Sequence, residues 1–150
     1  MTTAKNPITV AVSGGFDPLH VGHVRLMQQA RKLGDRLVVI LNNDHWLRKK
    51  KQHVFMQEAE RKEIIEALAC VDEVVMSSHP ENPEDMSVCA ELMHVRPQIF
   101  ANGGDRTSDN IPEIPVCEAI NCEMIFGTGH GGKVQSSSWL LKEYIEKLHG

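Results

Sequence analysis

Two histidines three residues apart, His20 and His23, sit in the stretch SGGFDPLHVGH, between the apolar run ITVAV and a segment with helical spacing. A three-residue interval puts both rings on one face of a helix's first turn. There the free backbone N–H groups and the positive end of the helix dipole already favour an anion. Two imidazoles added at that point can donate hydrogen bonds to phosphate oxygens, which suits charge that grows during phosphoryl chemistry. The plainer reading is that each histidine satisfies a local backbone group. A zinc site built on the pair alone is disfavoured, because zinc needs further ligands and none has suitable spacing. Just upstream, Gly14 and Gly15 let the backbone turn tightly and approach a ligand. They do not form the G-x-G-x-x-G fingerprint, so a nicotinamide or flavin dinucleotide site loses its main support.

The elements that must position these residues alternate along the chain. Short apolar runs rich in β-formers fall at 8–13, 36–42, 72–77, 97–101 and 122–127. Between them lie stretches with helical spacing. The stretch 21–34 closes on Gly34 as a C-cap, 57–69 carries Ile64, Ile65 and Leu68 on a stripe, and 82–94 opens with Asn82 as N-cap and Pro83 in the first turn. The last segment, 136–150, places Leu141, Ile145 and Leu148 on one face, which predicts packing on a sheet. Alternation of this kind implies a parallel sheet covered on both faces, with right-handed crossovers. Ligands in such folds bind beyond the carboxyl ends of the strands, where the strand order reverses. The loops after the first, fourth and fifth runs are GGFDPLHVGH, NGGDRTSDN and GTGHGGKVQSSS, all rich in glycine and polar groups.

Bulk properties narrow the classes. The 150 residues, 41% hydrophobic and 24% charged, predict one globular domain over 1–150, with no repeat or linker dividing it. A net charge of -4 argues against a nucleic-acid partner, though a local basic pocket for a small anion is compatible with it. No apolar run approaches membrane-spanning length. The four scattered cysteines lack a Cys-x-x-Cys pair, and the start carries no secretory signal, so reduced thiols in a cytoplasmic protein are expected. A zinc site from Cys117, Cys122 and a histidine lacks the usual ligand spacing.

GGFDPLHVGH resembles the GxFDxxHxGH signature of the HIGH-motif nucleotidyltransferases, the cytidylyltransferase-like superfamily. That group includes glycerol-3-phosphate cytidylyltransferase, heptose-phosphate adenylyltransferase, archaeal FAD synthetase and phosphopantetheine adenylyltransferase. The likeness runs over nearly the whole chain. ARKLGDRLVVILNND is similar to the second strand and its approach, AERKEIIEALACVDEVV to the stretch that supplies an arginine, RPQIFANGGD to the fourth strand and its loop, and KVQSSSWLL to the second signature. The implied fold is an α/β, Rossmann-like, doubly wound five-stranded parallel sheet of order 3-2-1-4-5.

The resemblance also implies roles. His20 and His23 would contact the nucleotide phosphates and stabilise the transition state at the α-phosphorus while a phosphate monoester attacks and pyrophosphate leaves. Gly14, Gly15, Phe16 and Asp17 would frame the nucleotide, as would Gly103, Gly104 and Asp105 near its sugar or base. Ser136, Ser137 and Ser138 would hold the outer phosphates at a helix N-terminus, where one serine alone would also serve as an ordinary N-cap. Counting back from Arg61 places Lys50 at a phosphate-binding lysine, while a second such lysine falls on Gln52. Lys50 and Arg61 are therefore carried as catalytic candidates. Read alone, the LRKKKQ run is a solvated surface and Arg61 a surface ion pair. Asp17 is expected to order its loop rather than act as a base. His130 and Lys133 stand close enough to the serines to meet phosphates or substrate.

The expected cofactor is Mg²⁺, held by triphosphate oxygens and water rather than by a protein cage. The expected ligands are ATP or CTP and a small phosphorylated sugar or polyol, and a homodimer is expected. Gly131 and Gly132 replace an Arg-Thr pair usual in glycerol-phosphate cytidylyltransferases, which leans the reading toward ATP. The rivals are a cofactor-forming adenylyltransferase acting on FMN or phosphopantetheine, and a silent nucleotide-binding protein.

Overall fold

The computed structural model describes residues 6–103, 111–128 and 137–149, with side chains undescribed at 137–139. Five strands form one all-parallel sheet: β1 (Thr9–Gly14), β2 (Arg36–Leu41), β3 (Glu73–Met76), β4 (Ile99–Gly103) and β5 (Glu123–Thr128). Their spatial order is β3-β2-β1-β4-β5, the order expected. The helices are α1 (Val21–Arg31), α2 (Asp44–Lys51), α3 (Glu58–Glu66), α4 (Cys89–Val95), α5 (Ile114–Ala119) and α6 (Ser137–His149).

Period-2 alternation in β1 sends Val10 and Val12 to one face and Ala11 to the other. Val10 and Val12 join Met27 and Ala30 of α1, Leu37, Val39 and Leu41 of β2, and Ile65 of α3 in one buried layer. Ala11 joins Ile40, Leu92 of α4, Phe100 of β4 and Cys117 of α5 in the other. Each fully buried aliphatic side chain contributes about 1.5–3 kcal/mol, so the two layers fix the sheet as a rigid platform. Loops leaving β1 and its neighbour β2 then meet at the same end of the sheet.

Several local expectations differ. The region 82–88 is not helical: Asn82 takes a left-handed backbone (φ 48°), and the helix begins only at Cys89, with Val88 as N-cap. The physical reason is competition for its carbonyls. Trp46 Nε1 donates to Met86 O at 2.9 Å, and Lys49 Nζ donates to Pro83 O, so α2 takes acceptors that a helix would have used. Gly34 lies beyond the C-cap, which is Lys32. A Cβ at Gly34 would come within 2.7 Å of Ile8 O, so the glycine serves close chain passage. Ile65 is buried, but Ile64 faces outward. α2 and α5 were not expected as helices.

α6 forms where predicted, yet Ile145 and Leu148 are more than half exposed. Neither Ile145 nor Leu148 joins the two buried layers, in which α1 and α3 pack on one face of the sheet and α4 and α5 on the other.

Candidate active site

His20 is the N-cap of α1, in an extended conformation (φ -141°, ψ 177°). Its Nδ1 accepts from Gly22 N at 3.1 Å, and the Nδ1 of His23 accepts from His20 N at 3.3 Å. Each ring therefore satisfies a local backbone donor, as the plainer sequence reading held. That role has a chemical consequence. An imidazole nitrogen that accepts carries no proton, so the neutral form of each ring must carry its proton on Nε2. Neither Nε2 has a partner among the described residues. The caps thus leave a pair of Nε2–H donors uncommitted.

The two rings stack, with centroids 3.7 Å apart and planes 23° from parallel. Phe16 meets His23 edge-on at 4.9 Å and closes its inner side. Burial, the charge of His20 and the charge of Lys51 push His23 down to about 3. Burial and Lys51 also lower His20. Both rings are therefore uncharged near neutrality, and they are donors without being cations.

The cation near the rings among the described residues is Lys51, whose Nζ donates to Asp17 O at 3.4 Å and whose own value is lowered chiefly by burial. The expectation fell on Lys50, one residue away. Lys50 is exposed and faces a different space, described below. The helical period could have separated them: Leu47 is fully buried, and Lys51 lies four residues on, on the same face.

Arg61, expected as a catalytic candidate, is buried here. Its side chain has no exposed surface to offer a phosphate. Nε donates to Met56 O at 2.9 Å, Nη1 to Gly15 O and Asn42 O at 2.7 Å each, and Nη2 to Asp44 Oδ1 at 2.6 Å. Its pair with Asp44 is buried rather than on the surface, and its hydrogen bonds tie the β1 loop to the β2 loop. Asp17 is also buried and structural: its carboxylate oxygens accept from Phe55 N and Met56 N at 2.6 Å each.

The glycines serve packing. Neither Gly14 nor Gly15 has a positive φ; the left-handed residue of this loop is Phe16 (φ 50°). A Cβ on Gly14 would lie 2.9 Å from the Phe16 ring, and one on Gly15 would lie 2.8 Å from Leu47 Cδ2. A Cβ on Gly103 would strike Leu26 and Thr128 O, both at 2.9 Å. Gly104, Asp105, His130, Lys133 and Ser136 lie outside the described residues. Ser137 and Ser138 open α6 by their backbones.

Beside this centre lies a cavity of about 650 Å³, reached from β1 through Ser13 and Gly14 and from β2 through Asn42. Its walls come from α2 and the loop after β3, neither of which was among the loops expected to form the site, and from Pro112 and Glu113 in the connection after β4. Among the described residues no group of three His, Cys, Asp or Glu is placed to hold a metal ion, and no helix is long and apolar enough to cross a membrane.

Comparison with known proteins adds to this geometry. Residues 11–126 match the family model described as cytidylyltransferase-like. The chain is 38% identical to the FAD synthase of Thermococcus sibiricus over 149 residues, covering 96% of this chain and 97% of that protein. It is 39% identical over 112 residues to the bifunctional protein HldE of Streptomyces coelicolor, covering 73% of this chain but 23% of the relative. The chain thus spans under a quarter of that HldE. Among solved structures, a lipopolysaccharide core biosynthesis protein from Thermoplasma volcanium superposes with a TM-score of 0.66 at 25% identity, over 83% of this chain and 99% of that one.

Proposed function

The chain belongs to the cytidylyltransferase-like family, and from that premise we propose that it transfers a nucleoside monophosphate from ATP or CTP to a small phosphorylated acceptor, releasing pyrophosphate. An oxygen of the acceptor's phosphate attacks the α-phosphorus as the bond from that phosphorus to the bridging oxygen breaks. The acceptor phosphate is already ionised, so no general base is required. The single observation carrying this reading is the stacked pair His20 and His23, each with Nδ1 committed to the backbone and Nε2–H left to donate. Fixed donors aimed at developing charge cost no reorganisation during the reaction. Lys51 adds a positive charge at the same point.

Mg²⁺, when bound, would neutralise triphosphate charge. It would be held by phosphate oxygens and water rather than by a protein cage. ATP is favoured over CTP by the absence of the Arg-Thr pair at Gly131 and Gly132. The acceptor is read as a sugar or polyol phosphate. FMN is the second reading, supported by the full-length similarity to a protein named FAD synthase. The homodimer belongs to the same proposal. The exposed Tyr144, Ile145 and Leu148 of α6 are apolar surface that such an interface would cover, and sedimentation of the full chain tests it.

The experiment is a pyrophosphate-release matrix of four nucleotides against glycerol, ribitol, heptose and flavin phosphates. Release with ATP and a sugar or polyol phosphate is expected. Release with FMN alone selects the second reading, and tight nucleotide binding without release across the matrix returns the silent nucleotide-binding protein.

A further inference from the structure

The wall that residues 84–88 give to the cavity has neither helical nor strand pairing before Cys89 opens α4. A segment without a ladder of its own takes its place from the groups that bond its backbone. Among the described residues three side chains take its carbonyls or those just before it. Lys49 Nζ donates to Pro83 O, and Trp46 Nε1 donates to Met86 O at 2.9 Å, both from α2. The third is His79, whose Nε2 lies 2.9 Å from Ser87 O.

His79 is 7% exposed and is not part of the cavity lining. A carbonyl only accepts, so Nε2 carries a proton, and in the neutral ring Nδ1 is left to accept. Ser77 Oγ lies 2.7 Å from that Nδ1. The same hydroxyl accepts from Asn43 N at 2.9 Å, so its own hydrogen is free to point at the ring. Asn43 also donates through Nδ2 to His79 O at 2.9 Å and to Ser77 O at 3.2 Å, while its Oδ1 caps α2 through Trp46 N. A continuous line of bonds thus runs from the β2 loop through Ser77 and the imidazole to Ser87 in the wall. With both nitrogens engaged, the ring acts as a rigid spacer between the two.

We infer that His79 is a positioning residue for the phosphorylated acceptor: it sets the place of the 84–88 wall against the β2 loop, and so how tightly the acceptor is held, without touching it. The inference rests on the proposed reading that the histidine pair receives phosphates. Ser13 and Gly14, which border the cavity, run directly into the loop that carries that pair. The nucleotide is read beside the loops after β4 and β5, which leaves the acceptor the space bordered by α2 and the loop after β3. A shift of about 1 Å in such a wall is enough to cost a bound group its alignment.

Two substitutions separate the ends of the ring. His79→Asn keeps an amide near the position of Nδ1 but cannot reach Ser87 O, whereas His79→Gln carries a donor near the position of Nε2. The full chain is titrated calorimetrically with glycerol 3-phosphate and with FMN, each in the presence of a saturating non-hydrolysable ATP or CTP analogue, and with that analogue alone. Backbone hydrogen exchange over 84–88 is followed in parallel. His79→Asn is expected to speed exchange there and to weaken whichever phosphate the wild-type chain binds by about tenfold. The nucleotide analogue should change by less than about twofold, and His79→Gln should restore most of both losses.

Should His79→Asn not fold, Ser77→Ala, which removes the hydroxyl that orients the ring, is expected to give the same pattern more weakly. Equal effects of Asn and Gln, a nucleotide loss as large as the acceptor loss, an acceptor affinity unmoved in the folded variants, no binding of either phosphate by the wild-type chain, or loss of folding in both His79→Asn and Ser77→Ala overturns the inference. Because binding is read without turnover, acceptor binding that follows the wall with no pyrophosphate release would keep this inference and defeat the transfer reading. Release that His79→Asn leaves unchanged at limiting acceptor would do the reverse.

Discussion

Arg61 donates through Nη1 to the carbonyl of Gly15 at 2.7 Å, across 46 residues of chain. The same nitrogen reaches Asn42 O, so one guanidinium holds together the two loops from which the candidate site is built. A planar fork with several donors suits this task better than a single ammonium. Arg61→Ala would leave these two carbonyls, that of Met56 and the Asp44 carboxylate without this partner. The expected loss is about 3–5 kcal/mol in urea unfolding, as for other broken buried pairs, and Arg61→Lys is expected to recover only part of it. A loss under about 1 kcal/mol would show the network to be incidental.

Lys51 and Lys50 are adjacent in sequence but serve different spaces. Lys51 approaches Asp17 O and the histidines, whereas Lys50 lines the neighbouring cavity. Calorimetric titration with ATP should show Lys51→Ala weakening the complex by about tenfold to a hundredfold, the range of a charge-assisted contact. Lys50→Ala should change it less. The opposite ranking would return Lys50 to the nucleotide.

The buried neutral state of His23 makes stability depend on pH. Its folded value, about 3, lies below the unfolded 6.5. Between those values the unfolded chain binds the extra proton, so stability is complete above pH 6.5 and falls as the pH drops. At pH 5 the loss attributable to this ring is on the order of 2 kcal/mol. His23→Asn places an oxygen near the position of Nδ1 and cannot titrate, so its melting temperature should fall less between pH 7 and 5. Parallel curves for the two proteins would show that His23 is not the titrating group.

Gly15→Ala tests the packing between the β1 loop and α2. The new Cβ would stand 2.8 Å from Leu47 Cδ2 and 3.1 Å from Trp46 Cζ3. Overpacking of this kind costs about 1–3 kcal/mol. Shortening Leu47 to Ala removes the clash, so a double-mutant cycle should give a favourable coupling between the two substitutions. Additive effects would mean that the loop relaxes elsewhere.

Much of this architecture was legible in the sequence, because its signals are periodic. Strands such as RLVVIL are apolar throughout, as strands buried on both faces must be, and all five strands came within two residues of their observed starts. The histidine pair was readable from its spacing at a helix start. The side-chain partners were not. A short arginine-bearing helix rich in glutamate reads as a solvated face, and only the tertiary structure shows the loops of Gly15 and Asn42 converging on Arg61. The amphipathic stripe of α6 failed in the other direction. Ile145 and Leu148 have the right period, but periodicity cannot tell whether an amphipathic face docks on the sheet, and both stay out of the two buried layers. Asn82 and Pro83 formed a sound helix-start pattern that was overruled by hydrogen bonds from α2.

The state and exposure of two imidazoles decide the central claim. ¹⁵N-resolved NMR of the histidine rings, at pH 7 with and without a non-hydrolysable ATP or CTP analogue, reads both directly. The account predicts neutral rings at positions 20 and 23, each protonated at Nε2, with both Nε2 resonances shifting when the nucleotide binds. Rings protonated on Nδ1, or Nε2 signals indifferent to a saturating triphosphate, would contradict it.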